Sequence, residues 1–549
     1  MGVNEDNQTG QLSRRKFLNA VGKGALALAA PAILGIRSAR AQQARPRQFV
    51  IAEDRFGRIF PQLPPFAESS SKLEAALLEI GKPGGILDAK DALDRGPVDL
   101  IVDLTLSASN PNNGTHTAGT TFMGQFMDHD MTFDLTSRLG QATDPAASPN
   151  ARTPALDLDS VYGAGPQADP ELYEPVRRGS RTERGIKFNV ESAGLFEDLP
   201  RQGNTAIIAD RRNDENLVIA GLQAAFLLFH NKLVDLLAKN SGDLATNTGA
   251  TLVAEKGSPD TSSEGLFRRA RQVTTWHYQW MIVHEFLPLF IGQAMVDDIL
   301  NHGRKFYRPE VAQIPVEFQG AAYRFGHSMV RPSYRANFTS LRGQPFFGLI
   351  FDPAQENNPD PDDLRGGFRA ERRFIGWQTF FDFGDGNVRP NKEIDTKIST
   401  PLFDLPLAAI ASLSPPAEPP TSLPQRNLLR QVTWQLPSGQ SIAKHIKVPT
   451  LSSQDLNELK DYGQNLDEST PLWYYVLKEA EIVEKGLHLG PVGGRIVGEV
   501  IIGLLQLDRD SYLADNPHWR PSLPQRSGQV TGDFRMVDFL SFADVAQLR

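Results

Sequence analysis

The chain of 549 residues contains no cysteine. That absence excludes disulfides, iron–sulfur clusters, thiolate zinc sites and any haem attached through C-x-x-C-H. A basic stripe is also missing. Lysine and arginine number 57 against 65 acidic residues, a formal net charge of −8 spread along the chain, so there is no electrostatic footprint for nucleic acid. No repeat of about 20 to 50 residues recurs. Period-two alternation is scarce, which leaves little room for β-sheet. Past the N-terminal region no stretch reads as apolar enough to span a membrane, so no stable span is expected. What is present is a 40% hydrophobic content, sufficient for a large buried core.

The N-terminus reads LSRRKFLNAVGKGALALAAPAILGIRSARAQQ. Arg14-Arg15 precede Phe17-Leu18, an apolar run follows to Ile36, and Ala39-Arg40-Ala41 offers an A-x-A cleavage site. This resembles a twin-arginine export signal over 1–41, a route that carries folded proteins, and predicts a periplasmic or secreted location. The run is shorter than about 20 residues and contains Gly and Pro, so it is not read as an anchor.

Helical periodicity dominates the remainder, 42–549, which reads as one large, mainly α domain with long loops and little β. Asn216–Lys239 carries apolar residues at i, i+3, i+4 and i+7, with Asn213 and Asp214 as candidate N-caps. Val273–Leu300 and Leu472–Leu487 read as helices too. Pro- and Gly-rich connections at Gly140–Pro154, Phe351–Gly367 and Ser414–Pro424 read as loops wrapping one core. The acidic NNPDPDDLRG at Asn357–Gly366 reads as solvated.

Two stretches carry chemistry. In FMGQFMDHDMTFD, Phe122–Asp134, a histidine stands between two aspartates in apolar company, and buried charge needs partners. On a helix, Gln125 and His129 share a face at i, i+4; Asp128 lies at its edge and Asp130 points elsewhere. A histidine with an amide beside it suits proton transfer between peroxide oxygens; a satisfied core histidine fits the same residues. In RTPALDLDSVYG, Arg152–Gly163, Thr153, Ala155, Asp157 and Asp159 alternate. In an extended loop they face one side, where side-chain and backbone oxygens can wrap a hard cation such as Ca²⁺, with Asp130 as a further ligand. A solvated turn is the alternative. Further on, ADRRNDENL at Ala209–Leu217 is either a solvated helix cap or the source of an inward-pointing arginine.

GQFMDHDMTFD followed by LDLDSVYG resembles the animal haem peroxidase family, the peroxidase–cyclooxygenase superfamily, in its bacterial branch. The resemblance runs in order through most of the chain after the signal. It implies haem b and Ca²⁺ as cofactors, with H₂O₂ and a small phenolic, halide or pseudohalide donor as reactants. It implies that His129 is the distal acid–base residue and Gln125 its partner. Asp130, Thr153, Ala155, Asp157 and Asp159 would surround Ca²⁺; the family often has an aromatic where Ala155 stands, and that ligand acts through its carbonyl. The R-x-x-E pattern places the distal arginine at Arg212. Asp128 and Glu215 match the carboxylates that family members esterify to haem, and they are expected to reach its periphery from opposite sides. Asn216 follows Glu215 where a sulfonium-linked member has Met, so that link is not expected.

For the other haem face, His327 in AAYRFGHSMVRPSY has Gly326 before it and aromatics around it. The family's R-F-G-H motif falls here, making His327 the axial ligand and Arg324 a haem-contacting residue. His277 and His284 read as core histidines. Asn427 matches the family's Asn in N-x-x-R, whose amide oxygen accepts the axial histidine's ring N–H, and Arg430 would pair with a haem propionate. The motif's polar continuation is replaced by QVTWQLP.

The reading is a haem peroxidase. A cyclooxygenase-like fatty-acid dioxygenase is the alternative, but its radical-forming tyrosine stands three residues before the axial histidine, where this chain has Arg324; Tyr323 stands four before. A calcium-dependent extracellular binding protein with a degenerate haem pocket is the non-enzymatic alternative.

Overall fold

The computed structural model describes residues 55–548 apart from 179–180, 193–195, 240–261, 340–342, 368–371, 408 and 411–418. The export signal expected over 1–41, and 414–418 of the third loop, lie outside the described residues. The architecture is mainly α, as the periodicity predicts, around one continuous apolar core.

Helix α1 is Ala118–Met131. Phe122, Met123, Phe126, Met127 and Met131 are buried together on it. Its first turn lies so close to Phe381 that a Cβ on Gly119 would come within 2.4 Å of that ring, so only glycine fits there. Helix α2, Leu217–Lys239, crosses α1 with Phe126 stacked on Phe226, ring centroids 4.7 Å apart.

The cap of α2 is Asn216, not Asn213 or Asp214. Its Oδ1 accepts from the amides of Val218 at 3.1 Å and Ile219 at 3.0 Å. Asn213 and Asp214 belong to the preceding helical turn, Arg211–Asp214, capped by Asp210. A second correction concerns hydrophobicity. With a mean hydropathy of 1.6 over its most apolar window, α2 is long and apolar enough to cross a membrane, but 83% of that window is buried in the protein. A helix covered on nearly all sides needs no polar face.

The helix expected over 273–300 is three pieces. Helix α3, Ser263–Met281, passes through a widened turn, Ile282–Phe286, into a short helix, Leu287–Ile291. Gly292, at φ 77°, breaks it before α4, Gln293–His302. The apolar spacing continues across the break, so periodicity alone joins the pieces. Helices α5, Leu423–Thr433, α6, Leu472–Val483, and α7, Pro491–Leu507, complete the part of the core used below. Strands among the described residues form six two-stranded ladders; the longest is a hairpin of β1, Tyr173–Arg178, and β2, Arg181–Phe188.

The long connections wrap this core. The loop at 140–154 begins on the end of α5, with Thr143 N–H donating to Thr433 O at 2.8 Å, and returns to the end of α1, where Asn150 Nδ2 donates to Met131 O at 2.9 Å. The acidic loop at Asn357–Gly366 is solvated only in its first half. Leu364 and Asp363 are buried, Asp363 pairs with Arg365 at 2.8 Å, and Leu364 O accepts from Leu217 N–H at 2.9 Å. One apolar side chain and one internal ion pair anchor the acidic loop beside the start of α2.

Candidate active site

A cavity, part of it open to solvent, lies between α1, the turn before α2, the segment around His327 and the start of α5. Gln125, Asp128, His129, Arg212, Glu215, Arg324, His327 and Arg430 all line it. Much of the remaining wall is apolar, including Phe290, Phe325, Met329, Ile350, Phe351 and Leu402.

His129 lies on the cavity side of α1, four residues after Gln125. Its Nδ1 is 2.9 Å from Asn213 Oδ1, and Gln125 Oε1 accepts from Asn216 Nδ2 at 3.2 Å. Burial, reinforced by the nearby Arg212 charge, lowers the His129 pKa to about 3, so the ring is neutral at ordinary pH.

The Arg212 guanidinium is engaged on most of its donors. Nε and Nη2 grip Asp210 at 3.1 and 2.8 Å, Nη1 donates to Thr132 O at 2.8 Å, and Nη2 to His129 O at 2.9 Å. It also sits over the Phe133 ring, 4.0 Å from the centroid. Nη1 is 4.0 Å from Asp128 Oδ2 at the cavity edge. Arg212 therefore fixes the C-terminal end of α1 as well as placing a cation beside the cavity.

Asp128 and Glu215 both face this space. Burial raises both pKa values against the pull of Arg212, that of Glu215 to about 7, and Glu215 Oε2 is buried without a hydrogen-bond partner. The Asp128 charge itself helps raise Glu215. The two carboxylates therefore stand within electrostatic reach of each other around Arg212.

Behind α1, Asp130, Asp157 and Asp159 bring carboxylate oxygens within 4.8 Å of one another. Leu158 N–H and Ser160 Oγ donate to Asp130 at 3.1 and 3.0 Å; Thr153 N–H and Oγ1 donate to Asp159 at 3.1 and 3.0 Å. Ala155 is buried in the same turn, its N–H on Thr153 O at 2.7 Å. The segment is not uniformly extended: Leu158 has φ 59° and Asp159 opens a short helix. Burial and the two neighbouring carboxylates raise the Asp130 pKa well above the usual range. An ion-pair chain joins this cluster to the cavity: Arg152 is 3.5 Å from Asp159 and 2.7 Å from Asp210, which holds Arg212. Although burial opposes it, the two guanidiniums keep the Asp210 pKa below the usual range.

His327 lines the cavity just after Gly326, where a Cβ would meet nothing within 4 Å. Burial and Arg324 lower its pKa to about 3. Asn427 on α5 reaches its Nδ1, but with the opposite end of the amide from the one expected. Asn427 Nδ2 is 2.7 Å from His327 Nδ1, because Arg324 Nη1 donates to Asn427 Oδ1 at 3.2 Å and draws the oxygen away. Arg430 Nη1 pairs with Asp134 at 2.7 Å and with Ser137, while its guanidinium still lines the cavity close to Arg324 and Arg426. His277 is buried, its Nδ1 2.7 Å from Val273 O; His284 stacks on Trp280.

These residues fit a haem: a partly open, mostly apolar cavity, two neutral histidines from distant segments, and a group of arginines suited to propionates. Residues 135–346 match the animal haem peroxidase family, a span that includes Arg212, Glu215 and His327. The match covers less than half of the chain, and over that span the chain is similar to animal haem peroxidases. The chorion peroxidase of Aedes aegypti is 26% identical over 221 residues, 38% of this chain and 26% of that protein. A Homo sapiens protein described as a probable oxidoreductase, PXDNL, is 25% identical over 238 residues, 40% of this chain and 15% of its own length. This chain therefore spans about a quarter or less of either relative.

Among solved structures, peroxidase A from Dictyostelium discoideum shares the fold at TM-score 0.55 and 16% identity, over 91% of this chain and 95% of that one. The fatty acid alpha-dioxygenase of Oryza sativa does so at TM-score 0.53 and 15% identity, over 84% and 76%. Within the family frame, Asn213 is the site residue that sequence reasoning missed. Its contact with His129 spans 84 positions, and only its place next to Arg212 pointed towards the cavity.

Proposed function

We propose that the chain is a haem peroxidase that reduces H₂O₂ and oxidises small phenolic, halide or pseudohalide donors. The observation that carries this reading is the convergence of Gln125, His129, Arg212 and His327 on one cavity. Haem, when bound, supplies the iron that takes the peroxide and the electrons that reduce it. His129, held neutral, accepts the proton of one peroxide oxygen and returns it to the other. Gln125 orients the incoming peroxide or water, and the Arg212 cation stabilises negative charge as the O–O bond breaks.

His327 is the proposed axial ligand. To ligate through Nε2 it must carry its proton on Nδ1, which requires the Asn427 amide to turn over and present Oδ1. That turn releases Arg324 Nη1, freeing it, with Arg430, for propionates.

Asp130, Asp157 and Asp159, with Thr153 and the Ala155 carbonyl, are the proposed Ca²⁺ ligands. Three carboxylates with oxygens within 4.8 Å of one another, beside hydroxyl and carbonyl oxygens, suit a hard divalent cation. The N-terminal twin-arginine motif supports export of the folded chain to the periplasm or beyond.

A Soret band and a pyridine haemochrome from the purified protein, with H₂O₂-dependent donor oxidation, are expected. His327→Ala should lose the haem or the histidine-ligated spectrum. An unchanged spectrum and turnover would refute the axial assignment, and a wild-type protein without a Soret band would leave the binding-protein reading. The dioxygenase reading has one support in the site: Tyr323 lines the cavity, although its hydroxyl donates to Gly124 O at 3.1 Å. Tyr323→Phe should keep peroxidase turnover; a fatty-acid oxygenation that it abolishes would favour the alternative.

A further inference from the structure

The nearest polar group behind His129 is Asn213, and behind Asn213 is Gln223. All three are almost fully buried, at 2%, 0% and 0% exposure. Asn213 Oδ1 is 2.9 Å from His129 Nδ1, and Asn213 Nδ2 donates to Gln223 Oε1 at 2.8 Å. The three come from α1, the turn Arg211–Asp214 and the second turn of α2.

The chemistry of each atom fixes the next. An amide oxygen only accepts, so the proton of a neutral His129 must be on Nδ1 and its Nε2 must hold a lone pair. The Asn213 amide is asymmetric, and turned over it would present Nδ2 to Nδ1 and put the imidazole proton on Nε2. The Asn213 Nδ2 bond to Gln223 Oε1 goes with the first orientation.

We propose that Asn213, oriented by Gln223, is a positioning residue that keeps His129 in the tautomer whose Nε2 can take a peroxide proton. This rests on the acid–base reading of His129 above. The proton leaves the peroxide oxygen for Nε2 and later goes from Nε2 to the departing oxygen; Nδ1–H stays on Asn213 throughout. Fixing the ring's tautomer and rotation through its far nitrogen is the general way a protein prepares a histidine for one direction of proton transfer.

The test uses the haem-loaded enzyme. Asn213→Leu should lower kcat/KM for H₂O₂ at least about tenfold, the scale of a misplaced acid–base group, and leave kcat/KM for the donor at saturating peroxide unchanged. It should also weaken cyanide, which binds as HCN and leaves its proton on a distal base, by a similar factor in an optical titration. Asn213→Asp should recover most of both, because a carboxylate oxygen still accepts Nδ1–H. Gln223 Nε2, at present without a partner, can turn onto that carboxylate.

In a His129→Ala background Asn213→Leu should cost nothing further. Wild-type peroxide kinetics and cyanide binding in Asn213→Leu would overturn the proposal, as would Asp performing no better than Leu or a loss that persists without His129. If Asn213→Leu does not accumulate folded, Gln223→Leu carries the same test: a several-fold loss in the peroxide step alone is expected, and wild-type behaviour overturns it. A His129→Ala enzyme that reacts with peroxide at the wild-type rate would instead sink the acid–base reading beneath it.

Discussion

At the scale of single residues, the cavity sorts its titratable groups by environment. His129, lowered to about 3 by burial and Arg212, stays neutral from about pH 4 upward. Its neutral form is the base, so the peroxide step should not weaken until pH approaches that value. His129→Ala should slow the step at least about a hundredfold while haem stays bound; stopped-flow rates equal to wild type would refute this. Glu215, raised to about 7 by burial, ionises in the neutral range. An inflection near pH 7 in the Soret spectrum is expected to vanish in Glu215→Gln. Asp128 and Glu215 are also the carboxylates proposed to become haem esters. Joining a carboxyl oxygen to a haem methyl carbon removes two protons and two electrons, which H₂O₂ accepts in forming water. After peroxide cycling, part of the haem should resist acid–acetone extraction and remain on peptides holding Asp128 or Glu215. Complete release of unmodified haem would exclude the esters.

Among the elements, α6 and α7 meet through a carboxylate. Glu479 on α6 accepts from Val492 and Gly493 N–H at the start of α7, at 2.9 and 3.2 Å, and burial raises its pKa to about 8. The folded state holds this proton more tightly than the unfolded chain, whose value is 4.5. Its contribution to stability is therefore full below about 4.5 and lost as pH rises through about 8. Tm should fall across that window, and Glu479→Gln, which keeps an acceptor without the charge, should flatten the fall. An unchanged slope would show that other groups set it. At Gly490, where a Cβ would come within 2.4 Å of Glu479 Cγ, alanine should destabilise by about 1–3 kcal/mol.

Sequence reading succeeded here where one element carries its own signal. The face of α1 with Gln125 and His129, and the apolar run of α2, are local patterns. It failed where a partner from elsewhere decides. Gly292 breaks a helix whose apolar spacing runs on; Asn216 rather than Asn213 caps α2; Arg324 sets the Asn427 amide.

At the scale of the molecule, Asp130 joins α1 to the loop at 157–159 directly, and Arg152 and Asp210 join that loop to Arg212. Removing a cation from this cluster should disturb both the far end of the chain's ion pairs and the helix that carries His129. Chelation should lower Tm and release haem together, excess Ca²⁺ should restore both, and Asp130→Asn should mimic chelation, since breaking a buried charge set costs about 3–5 kcal/mol. Metal analysis finding no calcium in active enzyme would refute the site.

The apolar character of α2 bears on the export route proposed for the chain. Threaded unfolded through a channel with a lateral opening to lipid, residues 217–239 would partition into the bilayer as readily as into the core they were built for. Carried across already folded, the same residues never meet lipid. The proposed twin-arginine export and a membrane-grade core helix in one chain are thus mutually consistent, and on that proposal any bound cofactor would be loaded before the crossing rather than after it.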